Sequence, residues 1–140
     1  MMRGIWKMQE SWVRFWIGCG TFLGLYRDGK FIDIDLDIDI SASLDWNSWY
    51  KEGESSIRKA FEPLWWRIIR EIHVEGRIFQ LAFINDDKVI FDITFYYTGI
   101  KEGKLVSYSD VWTVEEDDHL FKWFIPYPSE EYLEKRYGDW

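Results

Sequence analysis

Asp33, Asp35, Asp37 and Asp39 alternate with Ile32, Ile34, Leu36, Ile38 and Ile40 in the run FIDIDLDIDI. A strict period of two predicts a β-strand over Phe31–Ile40, with one apolar face and one face of carboxylates. Asp is depleted in strands, and like charges on one face repel. A merely solvated face would mix Thr, Lys, Arg, Glu and Ser. A row of the shortest acid instead brings charge close to the backbone, which suits a hard divalent cation. Residues at i and i+2 stand roughly 6.5 Å apart along a strand, so neighbouring carboxylates can converge on one or two ions. The same alternation turns Leu36 to the apolar side.

Two further features belong with the acid strand. Gly20-Thr21 opens a short helix in the segment GTFLGLYRDGK, and free backbone N–H groups at a helix start can bind a phosphate. Asp92 stands in VIFDITFYY, a strand otherwise apolar on both faces. A charge there is costly unless it is paired or metal-bound. A third carboxylate from a neighbouring strand is what a two-metal or metal-plus-base site requires, so Asp92 is read as a ligand or as a proton acceptor.

The elements that must position these groups follow from pattern and punctuation. Ile5–Trp16 reads as a short helix or a helix running into a strand, with Val13–Ile17 as that strand. Gly18–Gly20 breaks it, Thr21 caps a helix to about Tyr26, and Asp28-Gly29 signals a turn. The acid strand ends near Ser41. Leu44–Gly53 reads as loop or short helix, and Ser55 caps a helix over Ser56–Glu62 closed by Pro63. Trp65–Val74 fits strand and helix periods alike. Arg77–Ile84 and Val89–Tyr97 read as strands joined at Asn85-Asp86-Asp87, and Leu105–Val114 as a further strand. Ser129 caps a last helix to Arg136, with Gly138 as its stop. The expectation is a single α/β (α+β) domain, residues 1–140, with a mixed β-sheet flanked by short helices.

Composition narrows the chemistry. The chain has 140 residues, is 47% hydrophobic and 20% aromatic, and so can bury a real core. A net charge of −8 without a basic run argues against a nucleic-acid polymer as the main partner. Metal ions can still bring a phosphate compound to an acidic protein. No apolar run is long enough to span a bilayer, and the N-terminus lacks the h-region of a signal peptide. The single cysteine, Cys19, fits a reducing compartment, and together these predict a cytoplasmic protein. Cys19 reads as a buried filler without a base to activate it. His73 and His119 share no metal-ligand spacing. Glu115–Asp118 reads as a solvated loop, and Trp46 and Trp49 as core aromatics or as surfaces for a base or quaternary ammonium.

The run GTFLGLYRDGKFIDIDLDIDI resembles the signature of the LicD/fukutin family of the nucleotidyltransferase-fold superfamily. FDITF resembles that family's later Asp-bearing strand, and FIPYPSEEYLEKRYGDW its closing segment. The resemblance implies a nucleotidyltransferase-like fold and a metal-dependent phosphotransferase. LicD-like proteins move phosphocholine, and fukutin-like relatives a phosphorylated polyol, from a CDP-activated donor to a glycan hydroxyl. By position it implies that Asp37 and Asp39 hold Mg²⁺ or Mn²⁺, with Asp35 as a further acid of the cluster. It implies that Gly20, Thr21 and Gly24 lie against the donor phosphates, with Arg27 as the arginine after them. The chain departs from the family at Leu36, where many members carry Asp, and at Asp33, where Pro is frequent. Arg27 also reads as a surface arginine paired with Asp28. Two other readings share these residues: a nucleotidyltransferase that attaches a nucleoside monophosphate, and a non-catalytic module that binds a nucleotide or a partner.

Overall fold

The computed structural model describes residues 2–44, 50–108, 113–115, 125–126 and 128–140. In chain order the elements are α1 (Met2–Glu10), β1 (Arg14–Ile17), α2 (Cys19–Asp28), β2 (Asp37–Leu44) and α3 (Tyr50–Phe61). A 3₁₀ turn at Glu62–Leu64 carries Pro63. Then follow β3 (Arg67–Val74), β4 (Arg77–Ile84), β5 (Ile90–Lys101), β6 (Lys104–Tyr108), β7 (Thr113–Glu115) and α4 (Ser129–Tyr137). The sheet runs β1-β2-β5-β4-β3, with β6 on β5 and β7 on β6. All pairs are antiparallel except β2 with β5, which is parallel. A parallel pair needs a long crossover, here supplied by α3, β3 and β4.

The period of two on β2 and β5 divides the molecule. Ile38, Ile40, Ala42 and Leu44 join Phe91, Ile93, Phe95 and Tyr97 in the main core, closed by Met8 of α1 and by Ile57 and Phe61 of α3. Phe61 stacks on Phe83 with ring centroids 4.5 Å apart. Asp37, Asp39, Ser41 and Ser43 take the other parity, as do Asp92 and Tyr96. Beneath α2 and α4 on that side lies a smaller core of Trp16, Phe22, Leu23, Tyr96, Tyr132 and Leu133.

Several expected elements are corrected. The acid run is not one strand: Asp35 N–H donates to Ile32 O at 3.0 Å, closing a turn, and β2 begins only at Asp37. Ile34 and Leu36 find no apolar surface and are 89% and 78% exposed, so Leu36 does not face the core. From Asp37 the strand pairs with β5 as far as Leu44, and from Ile40 to Ser43 β1 pairs with its other edge, which carries it past Ser41. Thr21 does not cap α2. The cap is Gly18, and Thr21 sits inside the helix. Likewise α3 begins at Tyr50, placing Ser55 within it, and Ser129 is the first residue of α4 after a Pro128 cap. Ser129 Oγ donates instead to Pro126 O at 2.7 Å. The ambiguous Trp65–Val74 segment is strand β3, and Leu105–Val114 divides between β6 and β7. Trp46, Trp49, His119 and most of Glu115–Asp118 lie outside the described residues.

The turn that carries Asp35 back to α2 depends on Gly24. A Cβ there would stand 2.7 Å from Lys30 O and 3.0 Å from Ile32 N, both backbone atoms that cannot step aside. Gly24→Ala is expected to cost about 1–3 kcal/mol through overpacking, read as a lower urea midpoint at unchanged slope. An unchanged midpoint would mean that the 30–32 segment is free to move away.

Candidate active site

The site forms where β1 ends and α2 begins. Gly18 N–H donates to Asp39 O at 3.1 Å, tying the helix start to β2. Thr21 and Asp39 then bond reciprocally: Asp39 N–H donates to Thr21 Oγ1 at 2.8 Å, and Thr21 N–H donates to Asp39 Oδ2 at 3.3 Å. Gly20 faces the acids so closely that a Cβ would lie 2.4 Å from Asp35 Oδ2 and 3.4 Å from Asp39 Oδ2. The absence of a side chain at Gly20 therefore lets two carboxylates rest against the positive end of the helix dipole.

Asp35, Asp37 and Asp39 each offer a carboxylate oxygen, and these oxygens lie within 4.8 Å of one another. Asp92 stands beside Asp39 in the parallel register of β2 and β5. It is buried, and its Oδ2 accepts from Arg70 Nη1 at 2.7 Å and Gln80 Nε2 at 2.9 Å. Its Oδ1 is buried without a hydrogen-bond partner among the described residues. A buried carboxylate oxygen left bare is costly, and a cation is the group that would satisfy it among other acids. Hard oxygen donors held this close fit Mg²⁺ or Mn²⁺ by donor chemistry. Asp33 does not join them; it is exposed and pairs with Lys30.

Hydrogen bonding, burial and mutual repulsion raise the pKa values of these groups. The Asp35 carboxyl is pushed up to about 6, first by sharing a hydrogen bond with Asp37 and then by burial. Burial, and after it the charge of Asp37, pushes Asp39 up to about 6. Asp92 is also raised by burial, against the opposing pull of Gln80 and Arg70. The Cys19 thiol is pushed up to about 12 by burial and then by Asp39, so it stays neutral and is no nucleophile.

A scan against family models matches residues 12–135 to the LicD/FKTN/FKRP nucleotidyltransferase domain. The chain belongs to this family. It is 28% identical over 141 residues to the ribitol-5-phosphate transferase FKTN of Macaca fascicularis and 27% identical to that of Homo sapiens. Each alignment covers 90% of this chain but 29% of the relative, so the chain spans under a third of those proteins. Among solved structures, antibiotic-resistance factor ANT(2'')-Ia superposes with a TM-score of 0.52 at 16% identity. That match covers 74% of this chain and 48% of the other, and it is a likeness of fold. The nucleotidyltransferase-like α/β architecture and the family membership expected from the sequence both stand. No helix among the described residues is long and apolar enough to cross a membrane.

The other residues marked by the family signature lie as follows. Thr21 spends its N–H and hydroxyl on Asp39, and Cys19 N–H donates to Tyr132 Oη at 3.3 Å. Gly24 packs against the return loop. Arg27, in the last turn of α2, forms a two-pronged pair with Asp28 at 2.9 and 2.7 Å. At 1.5 Å per residue it stands about 10 Å along the axis from Gly20. Sequence reasoning missed Arg70, Gln80 and Tyr132. Only the fold shows them, because Arg70 and Gln80 reach Asp92 from strands that are separate in the chain and Tyr132 reaches Cys19 from α4. Glu54, Glu71 and His73 also come together, but Arg58 binds Glu54 at 2.7 Å and Glu71 at 3.0 Å, making a surface ion-pair network.

The raised Asp39 pKa sets a pH dependence. A carboxyl near 6 when folded and about 3.9 when unfolded binds its proton more tightly in the folded chain. Its contribution therefore favours folding below about pH 4 and is lost as pH rises through 6. In EDTA, Asp39→Asn should match the parent at pH 4 and exceed it by about 2 kcal/mol at pH 7. Denaturant curves at both pH values read the gap, and an equal gap at both would exclude Asp39 as the titrating group.

Proposed function

We propose that this domain is a metal-dependent phosphotransferase that takes a phosphorylated polyol from a CDP-activated donor to a hydroxyl of a glycan. The observation that carries the reading is the bare, buried Oδ1 of Asp92 beside Asp39, next to the converging carboxylates of Asp35, Asp37 and Asp39. The name of the FKTN relatives favours a phosphopolyol over phosphocholine as the transferred group. Attachment of a nucleoside monophosphate would use the same acids and differs only in substrate.

Asp35, Asp37, Asp39 and Asp92 would hold Mg²⁺ or Mn²⁺, which would neutralise the donor diphosphate and stabilise the departing nucleotide. Asp92 serves this reading as a ligand rather than as a proton acceptor. Its Oδ2 is taken by Arg70 and Gln80, and only Oδ1 remains for the site. Thr21 fixes Asp39 from both its backbone and its carboxylate. Gly20 keeps its N–H without a partner among the described residues, so the donor phosphate would meet that amide and the positive end of α2. Arg27 would reach the phosphate only by leaving Asp28, and Gly24 would act through the loop that returns Asp35.

The test is calorimetric titration of Mn²⁺, with and without CDP, into the parent and into an Asp37→Asn, Asp39→Asn double variant. The parent should bind Mn²⁺, CDP should tighten that binding, and the folded double variant should bind neither with measurable heat. Failure of the parent to bind Mn²⁺ would leave the domain as a non-catalytic binding module.

A further inference from the structure

Resting on the donor reading above, the geometry points to Arg70 as the cation that binds the donor's phosphoryl group while holding Asp92 in place. Four strands set the arrangement. Asp39 pairs with Asp92, Asp92 with Ala82, and Ala82 with Arg70, forming one row across β2, β5, β4 and β3. Two strand spacings, about 9.6 Å, separate Arg70 from Asp92 at the backbone. The small Ala82 lies between them, so the long Arg70 side chain can cross over it and bond Asp92 Oδ2 at 2.7 Å. A larger residue at 82 would stand in that path.

A guanidinium has five N–H donors, and Arg70 spends one, on Asp92. It makes no other hydrogen bond among the described residues, and its side chain is 45% exposed. The remaining prongs are therefore available to solvent, one carboxylate away from the acid cluster. A phosphate drawn to a cation on Asp39 and Asp92 would meet this fork, whose planar geometry matches two phosphate oxygens. Arg27, the arginine marked by the signature, has both prongs on Asp28 at the other end of α2.

Arg70→Lys separates the two duties. A single ammonium can keep Asp92 paired but has no second prong for a phosphate. With Mn²⁺ saturating, the variant should bind CDP about tenfold more weakly than the parent, as expected for loss of a charge-assisted bond. Its Kd for Mn²⁺ alone should stay within about threefold, and cytidine, which lacks phosphate, should bind both proteins alike. Arg70→Gln should weaken CDP at least as much and also weaken Mn²⁺, because Asp92 loses its charged partner. Thermal unfolding checks that each variant is folded. Equal CDP affinity for the parent and Arg70→Lys, both loaded with Mn²⁺, would overturn the assignment of Arg70 and leave the donor reading intact. No CDP binding by the Mn²⁺-loaded parent would overturn both.

Discussion

The site depends on holding carboxylates together that repel one another. At an effective dielectric near 20, two charges about 5 Å apart repel by about 3 kcal/mol. The start of α2 offsets part of this. The helix dipole contributes up to about 2 kcal/mol in a partly buried setting, and Asp39 accepts the Thr21 amide. The offset is incomplete, and the remaining repulsion adds to the hydrogen bond shared with Asp37 that raises Asp35, and to the burial that raises Asp39, each to about 6. Without a counter-cation, the site lowers its own charge by protonation.

The parallel pairing of β2 with β5 is the architectural condition for this. It places Asp39 and Asp92 side by side. An antiparallel hairpin would instead have joined neighbouring segments of chain, and the crossover through α3, β3 and β4 would not exist. That crossover brings Arg70 and Gln80 to the far flank of Asp92. The same alternation that exposes the acids on one face buries Ile38, Ile40, Phe91 and Ile93 on the other. Core and candidate site thus share two strands without sharing side chains, so substitution of an acid need not disturb the core.

Local pattern was a sound guide where a segment had an apolar face to bury. Asp37–Ile40, β4, β5 and the Gly138 stop of α4 all follow their spacing. It misled where alternation was present but no partner surface existed, as at Ile34 and Leu36. Capping signals failed for a related reason. Thr21 is a good cap by type, but its hydroxyl accepts from Asp39 N–H, a contact set by a residue 18 positions away. The acids of the site were legible because Asp in a strand is unfavourable by itself. Arg70 and Gln80 were not, because each is ordinary on a strand until register sets it against Asp92.

The partners of Asp92 are arranged unevenly about its two oxygens. Two donors, Arg70 and Gln80, converge on Oδ2 and none on Oδ1, although both oxygens belong to one buried group. A purely structural ion pair would gain by engaging both oxygens with both prongs of the arginine, as Arg27 does with Asp28. Arg70 instead reaches Asp92 with one nitrogen and leaves the rest of its fork toward solvent. The bare Oδ1 carries a desolvation cost of about 1–3 kcal/mol that the fold alone does not recover. Such a cost is tolerable when a ligand removes it, and under the proposed reading, with Asp39 beside it, that ligand would be a cation.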